Sequence, residues 1–392
     1  NVPNLRFPEF TEVWKVERLD EIATLSKGVG ISKEQLSNDG EPCILYGELY
    51  TKYKSEIIKE IDSRTNIDNS KLKRSKANDV IIPCSGETAI DIATARCVPF
   101  DNILLGGDLN IISLYQYDGA FMSYQLNGKR KYDIAKVAQG VSVVHLYGEH
   151  LKAIFTYNPC LQEQQKIAQI LSLLDERIAT QNKIIDKLKS LIKGLSQQLL
   201  SSENDWILYR LDDLAQIKSG YSGTQVGYQT PYKVSRIETI SKHCVDIQRI
   251  GYVEYISESY KLNVGDILFS NINSVQYIGN TAYLDKDYGL YHGMNLLRII
   301  PNTTIVRPRF LHLLLCTDWA INHFQTICNK AVSQASINQT ALGKSRLPIP
   351  PMSIQQQICS MFELTERKLN NEEKYRGYLQ QQKWYLLQQM FI

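Results

Sequence analysis

The sequence predicts an α+β protein built from two copies of one globular module, each followed by a long helix, with the two helices pairing as an antiparallel two-helix coiled coil. Three observations predict it. Trp14-Lys-Val-Glu-Arg18-Leu19-Asp20-Glu21 aligns without a gap on Trp206-Ile-Leu-Tyr-Arg210-Leu211-Asp212-Asp213, 192 positions later. A closing block, Asn158-Pro159 through Gln164-Gln165-Lys-Ile167, returns 191 positions later as Ile349-Pro350 through Gln355-Gln356-Gln-Ile358. After each closing block the apolar residues step by three and four, as in a heptad seam.

A repeat of this order and spacing means duplication of a whole module. Further blocks recur between the ends: Asn78-Asp79-Val-Ile-Ile-Pro-Cys84-Ser85 resembles Val264-Gly265-Asp266-Ile-Leu-Phe-Ser270-Asn271, Gly107-Asp108-Leu109-Asn110 loosely matches His292-Gly293-Met294-Asn295, and Gly140-Val141-Ser142 matches Ala331-Val332-Ser333. The first module is expected over residues 1–157 with its helix over 158–200, and the second over 201–348 with its helix over 349–392. Each module is expected to open with a short helix (19–25 in the first), followed by β-branched runs at 79–83, 103–105 and 109–115, or 265–270, 281–284 and 296–300, with a helical segment over 308–326. The sheets should be mostly antiparallel.

The first helical tail places Ile167, Leu171, Leu174, Ile178, Ile185, Leu188 and Ile192 on one seam, with Gln181 at the remaining position. The second keeps the register with Ile358, Phe362, Leu369, Leu379 and Leu386, and with Glu372 opposite the role of Gln181. Pro350-Pro351 stops the preceding strand, and Ser353-Ile-Gln-Gln356 has the spacing of a capping box. Helices of this length span on the order of 50 Å. Each needs a partner, and the other is the natural one; Gln181 and Glu372 would mark the register.

The 392 residues carry 43% hydrophobic and 22% charged residues, a globular composition with a formal net charge of +3. No uninterrupted apolar stretch approaches a membrane span and no basic leader precedes an apolar run, so the chain is read as cytoplasmic with no membrane partner. The eight cysteines are scattered singly without a CxxC pair, and are read as reduced residues filling the interior. The six histidines show no metal-ligand spacing, so no metal is expected.

Searching for chemistry gives a consistent negative. There is no Gly-x-Ser-x-Gly elbow, dinucleotide fingerprint or His-Glu-x-x-His pair, and Leu342-Gly343-Lys344-Ser345 lacks the earlier glycine of a phosphate-binding loop, Asn338 standing in its place. Neither Asn158-Pro159-Cys160 nor Pro350-Pro351-Met352 has the Asn/Asp-Pro-Pro-aromatic form that holds a flipped base. A duplicated chain without catalytic motifs points to recognition, with no catalytic residue and no cofactor bound by this chain.

Basic, aromatic and polar residues do cluster where the two halves diverge. In the first module these are Tyr46, Tyr50, Lys52 and Lys54, then Lys73, Arg74 and Lys76, then Lys129, Arg130 and Lys131. In the second they are Tyr221, Tyr232, Lys233 and Arg236, then Asn271, Asn273, Ser274, Gln276 and Tyr277. Lysine and arginine can neutralise phosphates, while amides, hydroxyls and tyrosines can reach base edges, so these are the candidate DNA-binding residues. A two-headed adaptor that binds proteins and has no role on DNA is the alternative.

The Trp-x3-Arg-Leu-acid-acid opening, the Gly-Asp-Ile-Leu strand, the Pro-x-Pro-Pro-x3-Gln-Gln block and the paired heptad helices together resemble the specificity subunits of type I restriction-modification enzymes. The resemblance covers essentially the whole chain. It implies that each module is a target recognition domain reading one half of a bipartite, asymmetric double-stranded DNA sequence, and that the helices act as a spacer. It also implies recruitment of two methyltransferase subunits, which carry S-adenosylmethionine and methylate adenine N6, and of restriction subunits that translocate DNA with ATP and magnesium.

Overall fold

The computed structural model describes residues 2–68, 70–140, 143–201, 206–240, 243–330 and 334–392. It packs as two compact units, Asn1–Ile184 with Glu372–Ile392, and Ile185–Asn371. Neither unit is simply one half of the chain. Each long helix is continuous, Leu161–Leu199 and Met352–Gln389, and each divides between the units. The repeat blocks at 141–142 and 331–333 lie outside the described residues.

In the first unit the strand Lys15–Arg18 pairs antiparallel with Phe155–Asn158, so the module closes on its own beginning. A four-stranded antiparallel sheet forms its frame, in the order Ala23–Lys27, Leu109–Leu114, Asp79–Pro83, Arg96–Val98. The five residues of Asp79–Pro83 are all buried because both faces of the sheet are covered. Successive side chains alternate between faces: Val80 and Ile82 join one core with Met122 and Leu126, while Ile81 joins another with Ile44, Leu105 and Ile111. A second sheet contains the parallel pair Glu41–Ile44 and Leu104–Leu105.

The second unit repeats this plan. Ile207–Arg210 pairs with Arg346–Ile349, and the frame sheet runs Ala215–Ser219, Leu297–Pro301, Ile267–Phe269, Thr281–Tyr283. Ile267 and Phe269 enter one core and Leu268 another. The divergent middle also keeps a parallel pair, Tyr232–Val234 with Leu290–Tyr291. Thus the two middles share a topology their sequences do not reveal.

Several local expectations change. The opening helix is one turn, Leu19–Ile22, because Ala23 is already extended and begins the strand Ala23–Lys27. The segment over 308–326 is two helices, Pro308–Leu315 and Asp318–Ile327; the Thr317 hydroxyl accepts from Ala320 N and caps the second. The loose match at Gly107–Asn110 slips by two: strand pairing makes Asp108 equivalent to Asn295, and both adopt left-handed backbone, with φ of 57° and 62°. Ser353 lies within the first turn of the second helix, after Met352, and so is not its cap.

The helix starts are fixed instead by a buried glutamine. Gln164 Nε2 donates to Pro159 O at 2.8 Å, and its Oε1 accepts from Asp118 N, the cap of helix Gly119–Asn127. Gln355, 191 positions on, donates to Pro350 O at 2.9 Å and to Ile305 O at 3.1 Å, and accepts from Arg307 N, which precedes helix Pro308–Leu315. Each amide therefore ties a long helix to the module before it.

Within each unit the helix segments run antiparallel. In the first, Ile167 and Leu171 share a core with Leu387 and Met390, while Gln181 Nε2 donates to the Glu372 carboxylate. In the second, Ile358 and Phe362 are buried with Ile192 packed against the same core. Of the remaining seam residues, Leu174, Ile185 and Leu379 are buried, and Ile178, Leu188, Leu369 and Leu386 are half-buried.

An acid then fastens each helix pair to its module. Asp175 and Lys383 meet at 2.6 Å, Lys383 also reaches Glu56 at 2.5 Å, and Tyr124 donates to Asp175 at 2.8 Å. The equivalent acid in the second unit, Glu366, takes a double contact from Arg309. Burial raises the Glu56 carboxyl above its ordinary range despite Lys383, which pulls it back. Burial alone would lower Lys383, but Glu56 and Asp175 raise it on balance.

Two outcomes follow. Gln164→Ala or Gln355→Ala strands buried backbone groups and is expected to cost about 2–4 kcal/mol, read as a lower urea midpoint at unchanged slope. Lys383→Met leaves two buried carboxylates without their cation and is expected to cost about 3–5 kcal/mol at neutral pH. Since the Glu56 carboxyl is raised in the folded state, folding takes up a proton there as pH falls. The deficit of Lys383→Met should therefore shrink in unfolding curves at acid pH, and a deficit constant with pH would rule out this electrostatic origin.

Candidate nucleic-acid interface

Both frames pass the chain into their divergent middles through a glycine that no larger residue could replace. Gly28 N donates to Leu109 O at 2.9 Å, and a Cβ on Gly28 would lie 2.1 Å from Gly106 O. In the second module a Cβ on Gly220 would lie 1.8 Å from Gly293 O. The chain returns to the same end of each frame through short equivalent ladders: Ser85–Gly86 with Val144–His145, and Ile272–Asn273 with Ala335–Ser336. Each module therefore gathers its divergent loops at one end of its own frame sheet.

Some of the expected residues stand at that end. Tyr50 donates its hydroxyl to Ser85 O at 3.1 Å, which brings the Tyr46–Tyr50 turn beside the first ladder, and Tyr46 is 37% exposed. Lys54, also exposed, reaches back to Tyr50 O. In the second module Asn271, Asn273, Ser274, Gln276 and Tyr277 follow one another through the ladder strand Ile272–Asn273 and the turn Val275–Tyr277. Asn271 Nδ2 donates to Ile337 O at 3.4 Å and Asn273 Nδ2 to Ser270 Oγ at 3.2 Å, so two amides hold the loop while Gln276 and Tyr277 face solvent.

Other candidates serve the fold. Lys52 is occupied by Glu48 and Asp62, and Arg74 by Glu41 at 2.6 Å. Arg130 pairs with Asp133, donates to Ile392 O and lies over the Tyr157 ring. Burial lowers the pKa of its neighbour Lys131; Lys129 is half-buried. Tyr221 and Tyr232 pack edge-on against Tyr260, Tyr255 and Tyr291 around a small core with Val234 and Val253. Arg236 sits 3.5 Å from Glu238. Lys73, Lys76 and Lys233 are exposed and form no ion pair among the described residues.

The structure also brings forward residues the sequence did not flag. Tyr147, 53% exposed, stacks on His145 of the first ladder, and Tyr255 extends from the second module's aromatic cluster. No pattern in the sequence sets either apart from the other tyrosines. The buried histidines are packing groups: burial lowers His292 to about 4 and His312 to about 3, leaving both neutral, and His292 Nε2 meets Leu296 O at 2.9 Å. Among the described residues no group of His, Cys, Asp and Glu could hold a metal ion, and no helix is long and apolar enough to cross a membrane. All eight cysteines are free, five of them buried.

A family model for the type I restriction modification DNA specificity domain matches residues 11–190 and again residues 203–376. A putative type I restriction enzyme MjaX specificity subunit of Methanocaldococcus jannaschii is 42% identical over 164 residues, covering 40% of this chain and 39% of that subunit, well under two thirds of its length. The type I restriction enzyme MjaVIII specificity subunit of the same organism is 22% identical, covering 97% of this chain and 91% of that one. In fold, the chain is similar to the type I restriction-modification S subunit from M. genitalium, with a TM-score of 0.63 at 16% identity over 100% of this chain and 99% of that one. A chain from a type I restriction-modification system, solved in work on complex assembly and conformational transition, matches with a TM-score of 0.60 at 15% identity over 97% of both chains.

The differing engagement of the cations separates two outcomes. Lys233→Ala is expected to weaken DNA binding across sequences and to reduce the salt slope of log K by about one. Arg130→Ala is expected to lower stability and leave that slope unchanged. Salt titrations followed by fluorescence anisotropy, beside thermal melts, distinguish them.

Proposed function

We propose, from the premise that this chain belongs to the type I restriction modification DNA specificity family, that it reads a bipartite, asymmetric double-stranded DNA target through two different recognition ends. The observation that carries this reading is the pairing of two matched frames with two middles that differ in sequence. A shared frame gives both modules the same way of standing on DNA, and unlike loops give unlike half-sites. Residues 1–157 and 201–348 would be the target recognition domains, and 158–200 and 349–392 the helices that fix the spacing of the two readings.

Cations at the loop ends would contact phosphate, while the amides and hydroxyls of the Asn271–Tyr277 loop and the tyrosines about Ser85 would meet base edges. The chain would itself be non-catalytic. It would recruit two methyltransferase subunits, which supply S-adenosylmethionine, and restriction subunits, which supply ATP and magnesium chemistry, in the cytoplasm.

The test is an exchange of residues 201–348 for another module of the family, followed by sequencing of methylated adenines in cells. One half of the methylated sequence is expected to change and the other to stay. An unchanged methylation pattern would overturn the reading.

A further inference from the structure

One short stretch of the first divergent middle runs from the recognition end of its module to the helix pair, and it is held at several points on the way. At its start the Tyr46–Tyr50 turn stands beside the first ladder through the bond from Tyr50 to Ser85 O. At its end Ser55 Oγ donates to Asp175 at 3.0 Å, Glu56 meets Lys383, and Lys59 reaches Glu176 at 2.8 Å and Ser172 at 3.3 Å. Between these ends the stretch lies along the outer edge of the frame strand Arg96–Val98. Cys97 N donates to Glu56 O at 2.8 Å and Ile58 N to Cys97 O at 3.0 Å, while Arg96 Nη2 donates to Tyr53 O at 3.0 Å. Leu49, Tyr53 and Ile58 are buried together in one core.

Arg96 is an unusual residue for that place. It is 8% exposed, its other bond is to the adjacent carbonyl of Ala95, and its Nε has no partner among the described residues. A guanidinium buried with incomplete hydrogen bonding lowers stability. The frame does not require it. Strand pairing makes Ile81 equivalent to Leu268 and hence Arg96 to Ala282, and the second module forms the same four-stranded frame with that alanine. Nor does the helix seam require Lys383, whose counterpart 191 positions earlier is Ile192. Both cations are therefore particular to the first unit, and both grip the divergent stretch.

We propose that Arg96 is a positioning residue for base reading in the first module. It fixes the main chain at Tyr53, and together with the anchorage of Ser55, Glu56 and Lys59 on the helix pair it sets where the Tyr46–Tyr50 turn stands, without itself meeting DNA. A turn held only by the bond of Tyr50 to Ser85 O could pivot about that bond; a second grip three residues later removes the pivot. Recognition groups must be held to within about 0.5 Å of their working geometry by residues that are themselves locked in place. The inference rests on the DNA reading proposed above and confines the effect of Arg96 to one half-site.

The test uses the full chain assembled with its methyltransferase subunits. Sequencing of methylated adenines gives the target, and the exchange of residues 201–348 shows which half belongs to the first module. Fluorescence anisotropy then compares duplexes with a base pair changed in one half or in the other. Arg96→Met is expected to reduce discrimination in the first half roughly tenfold and to leave the second half unchanged. The salt slope of log K should also stay unchanged, since no phosphate contact is lost. Arg96→Lys, which can still donate to Tyr53 O, should restore most of the discrimination. Ile22→Ala, buried just before the strand at the opposite edge of the frame, controls for lost stability alone and should keep discrimination in both halves. Should Arg96→Met fail to fold by circular dichroism, Ser55→Ala with Lys59→Ala frees the stretch from the helix at less buried sites and should lower first-half discrimination about threefold. Full discrimination in the folded variants, an equal loss in Ile22→Ala, a loss in both halves, or a salt slope smaller by about one in Arg96→Met would each overturn the positioning role and leave the proposed function intact. An unaltered chain without preference in either half would overturn the DNA reading itself.

Discussion

A primary amide buried at the start of each long helix sets the geometry on which the remainder depends. Gln164 and Gln355 are almost fully buried, and each spends donor and acceptor on backbone groups that belong to different segments. A buried amide with satisfied partners tolerates little displacement, because moving it strands both its own atoms and the backbone groups it serves. The helix is consequently held in direction as well as position. Once the starts are fixed, the heptad seams determine which faces meet.

The same repeat position is then used with different chemistry in the two units. Asp175 lies 7% exposed within a net of Lys383, Tyr124 and Ser55, whereas Glu366 is gripped by Arg309 at a wetter site. An acid projecting from the helix toward the module is the common element, and each module supplies its own answer. Buried ion pairs contribute little net stability but penalise mismatched partners heavily. This arrangement therefore favours each module on its own helix segments over an exchange of the two.

How far the sequence could be read follows from the range of the forces involved. The seams and the strand Asp79–Pro83 were legible because periodicity records which side of an element is buried. The one-turn helix at Leu19 and the break at Thr317 were not, since the first ends on the extended backbone of Ala23 and the second turns on a single hydroxyl cap. Arg130 looked like a member of a basic patch; besides Asp133 one turn on, it engages Tyr157 and Ile392 O, which are remote in sequence. For the same reason Tyr221 and Tyr232 could be read as stacking surfaces when their rings complete a local core. The division of both long helices between two packing units also escapes any linear reading, because sequence order gives no sign of where an antiparallel partner returns.

The midpoint of the helix pairing shows why a polar residue interrupts each seam. Gln181 and Glu372 occupy equivalent positions in the repeat, and they meet each other. Two copies of one helix laid antiparallel must bring equivalent residues together at their centre, so a polar pair placed there is satisfied in one register only. A slip of one heptad would set Gln181, 4% exposed, and the Glu372 carboxylate against apolar neighbours, with an uncompensated cost of a few kcal/mol. Aliphatic residues at both positions would hold the helices together more strongly, yet would permit neighbouring registers of similar energy. The polar pair thus gives up apolar contact for a single register.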